Sequence, residues 1–204
     1  MESICNLRKH MQDYNHTYFR NLKLDFDPFS DKYVFPESQT QRAKYTDHID
    51  NRELINPKLI DWAKSIGLGV TRIERFSSNP NYRMYIHTDN QDWIDNLVKI
   101  IWCYCPTNDH RMTWYTLKDE SWYEVITNND SGGTMMFPDF NCVEEVSTTI
   151  MPNSPILANT GQPHNIENGQ SYRHVVCAWF HDLKNPMVDL QWDNAVEYMK
   201  EFII

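Results

Sequence analysis

From Gly69 to Phe180 the chain is cut into short runs of aliphatic, aromatic and β-branched residues, each closed by Gly, Pro, Asn or Asp. The runs fall at 70–76, 82–87, 97–105, 111–118, 122–127, 134–137, 143–150, 156–159, 164–166 and 172–180. Many short strands at this spacing predict an all-β sandwich or jelly roll rather than alternating strands and helices. Helical patterns are confined to the flanks. Residues 56–67 carry Asn at the cap, Pro at the first position and Gly just past the end, with Leu59, Ile60, Trp62, Ala63 and Ile66 as the apolar stripe. Residues 192–202 predict a second helix that docks through Val196, Tyr198, Met199 and Phe202. A short amphipathic helix is expected over 4–14 and a strand over 22–26, while 28–50 is polar and rich in turns.

The expected organisation is therefore mainly β. A jelly-roll core over 68–191 is flanked by a helical and irregular extension (1–67) packing on it and by a closing C-terminal helix (192–204), one structural domain in all. With 204 residues, 41% hydrophobic and 13% aromatic, the chain can bury a real core.

On this frame the residues that can carry chemistry come in a fixed order. His87 and Asp89 form a His-Thr-Asp step at the end of the run 82–87, with Tyr85, His87 and Asp89 on one face by the period of two. Asn90-Gln91-Asp92 reads as a turn that leaves Asp89 at the mouth of a sheet. His164 follows 75 positions after Asp89 (164 − 89), and Arg173 nine positions later (173 − 164). Between them Asn168-Gly169 signals a hairpin turn. The strand after it puts Arg173, Val175, Cys177 and Trp179 on one face and His174, Val176, Ala178 and Phe180 on the other. An arginine on an apolar face is expensive unless it meets an anion. A planar guanidinium suits a carboxylate held by two parallel hydrogen bonds, although an acidic side chain of the fold would also serve. Two imidazoles and a carboxylate on one side of an iron leave the other positions open, as non-heme Fe(II) oxygenases require.

Each piece is weak alone. With 28 acidic residues and 8 histidines a His-x-Asp step can arise by chance, and a second one, His48-Ile49-Asp50, lies in a polar stretch without alternation.

Taken together, His87-x-Asp89, His164 and Arg173 resemble the pattern of the Fe(II)- and 2-oxoglutarate-dependent oxygenases over roughly 68–182. Within that superfamily the stretch Pro163–Arg173 is most similar to prolyl and aspartyl/asparaginyl hydroxylases and to small phage-type members. The resemblance implies a double-stranded β-helix in which His87, Asp89 and His164 hold Fe(II). It implies that Arg173 binds the distal carboxylate of 2-oxoglutarate, and that O2 is consumed with release of succinate and CO2. It also implies hydroxylation rather than halogenation, since a carboxylate occupies position 89. Tyr85 is a further candidate for contact with 2-oxoglutarate, and Trp114 and Trp179 for the pocket wall or for packing. A cupin-type isomerase or dioxygenase without 2-oxoglutarate would use the same fold and similar ligands, and a non-catalytic jelly roll would bind no metal.

The remaining features set bounds. The net charge of −9 argues against nucleic acid as a partner. A small-molecule or peptide substrate is expected, and the N-terminal part could supply a lid or a homodimer surface. The first residues lack the apolar stretch of a signal peptide and no run is long enough for a membrane span, so a cytoplasmic location is expected (the host's, if phage-encoded). Five cysteines without framework spacing suit reduced thiols, and Cys103-Tyr104-Cys105 reads as packing rather than a metal pair. Asp109-His110-Arg111 reads as a solvated turn, and Ser131-Gly132-Gly133 as a hairpin turn rather than a phosphate loop.

Overall fold

The computed structural model describes residues 18–34, 43–46, 53–89, 96–118, 123–128, 133–138, 140–151 and 154–204. The helix expected over 4–14 and the His48-Ile49-Asp50 step lie outside them. Twelve strands and two α-helices are named here in chain order: β1 (Phe19–Asn21), β2 (Ala43–Thr46), α1 (Pro57–Ser65), β3 (Leu68–Ser78), β4 (Val98–Tyr104), β5 (Arg111–Leu117), β6 (Tyr123–Asn128), β7 (Gly133–Pro138), β8 (Val143–Ile150), β9 (Ile156–Asn159), β10 (His164–Glu167), β11 (Arg173–Asp182), β12 (Asn185–Asp189) and α2 (Trp192–Met199).

The larger sheet runs β1-β9-β4-β11-β3-β2, with β12 folded back on the end of β11. The smaller runs β10-β5-β8. Residues 82–87 extend it alongside β10 through antiparallel bridges Arg83 to Glu167 and His87 to His164, and the Met84 N–H donates to the Ile166 carbonyl at 2.8 Å. Following the chain, β3, 82–87, β4, β5, β8, β9, β10 and β11 thus fall in the order large, small, large, small, small, large, small, large. All their pairings are antiparallel. This is a jelly roll.

Period-two alternation gives the larger sheet a core on each face. Val175, Cys177 and Trp179 of β11 join Ile101, Cys103, Met112, Trp114 and Ile156 inside the roll. Val176, Ala178 and Phe180 face outward onto Leu59 and Ala63 of α1 and onto Trp192, Ala195 and Met199 of α2. Helix α1 forms where expected because its ends are chemically marked. Asn56 caps it by accepting from the Lys58 N–H at 3.0 Å, Pro57 opens it, and Gly67 leaves it at φ +83°, a conformation costly for any residue with a Cβ.

Three local expectations are corrected. The strand expected over 22–26 does not form: β1 ends at Asn21, and Leu22 makes only an isolated bridge with Ile203. Asn168-Gly169 does not close a hairpin, because β10 and β11 pair in different sheets and neither residue has a positive φ. The chain crosses there from the small sheet to the large. Gly169 packs tightly against the Asp109 carboxyl group, which a Cβ would force to move. His110 is not solvated but fully buried: its Nδ1 accepts from the Gly169 N–H, and its Nε2 lies 3.0 Å from Ser171 Oγ. The loops 107–110 and 168–171 are therefore clasped just before Arg173. Strands β6 and β7 pair as the Ser131-Gly132-Gly133 turn requires, although residues 129–132 lie outside the described set.

Candidate metal centre

His87 ends the segment 82–87 and His164 begins β10, and each donates or accepts a backbone hydrogen bond with the other at 2.8–2.9 Å. That register sets the two imidazoles side by side, with ring centroids 4.3 Å apart and planes tilted by 47°. Asp89 follows two residues on, held by its N–H donating to the Thr160 carbonyl at 3.0 Å. One ligand atom from each of His87, Asp89 and His164 falls within 4.8 Å of the others. The sequence separates them by up to 77 positions (164 − 87); pairing within one sheet brings them together.

The donor chemistry fits a metal ion. His87 Nδ1 donates to the Tyr85 carbonyl at 3.0 Å and His164 Nδ1 to the Gln162 carbonyl at 2.8 Å, so in both rings Nε2 is the candidate ligand atom. Asp89 Oδ1 lies 3.7 Å from His87 Nε2. Its other oxygen, Oδ2, accepts from Lys99 Nζ at 2.6 Å. Burial alone would raise the Asp89 pKa, but Lys99, then His164 and His87, outweigh it and hold the carboxyl well below its usual range. Burial opposes the charge on Lys99 in turn, and Asp89 more than restores it. His164 is pushed down to about 3, by burial first and then by His87 and Lys99 against the pull of Asp89. At neutral pH the cluster is thus one carboxylate with a neutral His164 imidazole beside it, the protonation state a divalent cation needs.

Arg173 opens β11 on the interior face and is only 4% exposed. Its Nε and Nη2 have no hydrogen-bond partner among the described residues. It acts on Cys103, whose thiol is drawn downward by a hydrogen bond from Cys105 and then by Arg173, with the two sulfurs 3.7 Å apart. Cys177, on the same face of β11 as Arg173, is influenced from both groups. It is pushed up to about 12, by burial first, and it feels Lys99 and Asp89 as well as Arg173. Both charged groups therefore address the same interior.

Tyr85 stands apart. Its side chain is 73% exposed, and it is its backbone carbonyl that meets His87. Trp114 and Trp179 are fully buried in the inner core: Trp114 donates to the Asn159 carbonyl at 2.8 Å, and Trp179 lies beneath Arg72 and Lys99. Lys99 and Glu74, both buried, were not singled out from the sequence. The signal for Lys99 was the one that marks Arg173, a long cation within an apolar strand, here Val98-Lys99-Ile100-Ile101-Trp102.

No protein-family model and no curated protein sequence matches this chain. Solved structures of similar shape include a cupin 2 domain-containing protein from Halorhodospira halophila, 10% identical, with 88% of each chain covered and a TM-score of 0.33. An oxalate oxidase in complex with the substrate analogue glycolate is 12% identical over 82% of this chain and 75% of that one, with a TM-score of 0.32. Procruciferin, an 11S globulin from Brassica napus, is 12% identical with a TM-score of 0.32; the match covers 74% of this chain but only 28% of procruciferin. Likenesses this distant assign neither family nor activity, and the jelly roll stands on its own strand order. Among the described residues no helix is long and apolar enough to cross a membrane.

Proposed function

We propose that this protein is a metal-dependent oxidoreductase of the Fe(II)- and 2-oxoglutarate-dependent kind, hydroxylating an amino-acid, peptidyl or small-metabolite substrate. The observation that carries the reading is the pairing of a His87/Asp89/His164 cluster with a buried guanidinium whose Nε and Nη2 lack partners among the described residues. Three donors suit a cation, and Arg173 suits a carboxylate. Bound there, Fe(II) and 2-oxoglutarate would supply oxygen activation, with succinate and CO2 released as the substrate is hydroxylated.

The chain's own residues have separate duties. His87 and His164 present Nε2, each aimed by the carbonyl that holds Nδ1. Asp89 presents Oδ1. Arg173 would fix the far end of the co-substrate by its planar fork, a positioning role. Met112, Trp114, Ile156 and Trp179 are buried together in the core inside the roll and would keep water from the reacting groups.

A second reading keeps the metal and drops 2-oxoglutarate, as in a cupin-type dioxygenase or isomerase. Its support is Cys103: a thiolate there would satisfy Arg173 from within the protein. Anaerobic loading with Fe(II), followed by 2-oxoglutarate and O2, separates the two. Succinate formation is expected even before a substrate is found. Iron bound without succinate formation moves the assignment to the second reading, and failure to bind iron removes both.

A further inference from the structure

Asp89 is not an isolated ligand. Its Oδ2 is taken by Lys99 Nζ at 2.6 Å, leaving Oδ1 as the oxygen that faces His87. Lys99 has little freedom to let go. It projects from β4 one place beyond the Ile100–Ala178 pair, which sets it opposite Trp179, and it is 6% exposed. Its Nζ lies 4.9 Å from the Trp179 ring centroid and 5.9 Å from that of Phe76. From β3, Glu74 acts on it as a second buried carboxylate, itself 3.9 Å from Arg72 Nε. Aromatic rings and anions on both sides hold the ammonium where it meets Asp89.

The geometry points to Lys99 as a positioning residue that keeps Asp89 a one-oxygen ligand. A carboxylate free at both oxygens can close on an ion with both and occupy two of its positions. With Oδ2 held by Lys99, the three side chains fill three positions of a six-coordinate ion and three stay open. This rests on the metal reading above and supplies what that reading needs, because a co-substrate bound at two points plus oxygen uses three open positions. A lysine present only to neutralise a buried carboxylate would leave the coordination number unconstrained.

The test counts water on Mn(II) bound to the intact chain, by the broadening that 17O-labelled water causes in the Mn(II) electron paramagnetic resonance lines. Three waters are expected in the wild type, two in Lys99→Met, where Asp89 closes on the ion, and three again in Lys99→Arg, which keeps a cationic donor. Two waters in the wild type, or three in Lys99→Met, overturns the role of Lys99 while leaving a metal centre in place. Failure of the wild type to bind Mn(II) overturns the metal reading and this proposal with it. If Lys99→Met does not fold, Lys99→Gln, shorter and uncharged, gives the same reading: two waters are expected, and three overturns the role of Lys99.

Discussion

The interior of the roll is charged at two ends, and the ends are built differently. At the histidine end each charge has a partner: Asp89 is paired with Lys99, and both imidazoles are tied to carbonyls. At the β11 end Arg173 is as deeply buried, yet its Nε and Nη2 lack partners among the described residues. Burying a charge costs several kcal/mol unless something nearby compensates it. The first end meets that cost within the protein and still gathers one ligand atom from each of His87, Asp89 and His164 within 4.8 Å of one another. The second end meets it only when an anion arrives, from a ligand or from Cys103. One end is finished and awaits a cation, and the other is incomplete without a negative partner.

Removing a ligand should have the largest effect. His164→Ala deletes one of three donors and should abolish stoichiometric Fe(II) binding, read as bound metal after gel filtration; binding within tenfold of wild type would break the assignment of this end. Next in size, Lys99→Met strands Asp89 in the interior and should cost about 3–5 kcal/mol of metal-free stability in urea. Divalent metal should stabilise this variant more than the wild type, because the ion replaces the missing cation beside Asp89. An equal metal effect in both would mean that the pair does not act on the site.

The parts of this molecule legible in sequence are those set by local period and chain order. Short alternating runs gave the strands of the roll, and the marked ends of 56–67 gave α1. His87, Asp89 and His164 could be picked out because a strand end, a turn and a strand start are each local signals. What could not be read depends on which strands become neighbours. Asn168-Gly169 has the composition of a hairpin, but β10 finds β5 and β11 finds β3 and β4, so the pair serves a crossing instead. His110 looked solvated because its neighbours in sequence are polar, whereas its neighbours in space are the backbone of Gly169 and the hydroxyl of Ser171. Lys99 follows the same rule: its partner, Asp89, sits beyond a loop.

A smaller effect sharpens the contrast from the other end. Arg173→Met removes a buried charge whose fork is not fully paired, so metal-free stability should stay level or rise. The 2-oxoglutarate concentration needed for half-maximal succinate formation should meanwhile rise about 10–100-fold, the loss of charge-assisted hydrogen bonds worth roughly 1.5–3 kcal/mol. Urea midpoints and succinate assays on one preparation give both numbers. A stability loss like that of Lys99→Met would show that Arg173 is already satisfied within the protein, and the two ends would no longer differ in kind.

The smallest effect per step comes from protons. His164 ionises in the folded protein only at about 3, against an ordinary 6.5, because burial and then His87 and Lys99 disfavour its charge. As pH falls through 6.5 the unfolded chain takes up a proton at this residue and the folded protein does not. The stability due to neutral His164 is therefore complete above 6.5 and is lost progressively towards 3, at roughly 1.4 kcal/mol per pH unit. Asp89, whose pKa is lowered, acts in the same direction, but only as pH drops below the ordinary carboxylate value of 3.8. Between pH 7 and pH 5 the metal-free wild type should thus lose about 2 kcal/mol more than His164→Gln, measured as the difference in urea stability at each pH. Equal losses would place the acid sensitivity elsewhere and would mean that His164 is not held neutral by its surroundings.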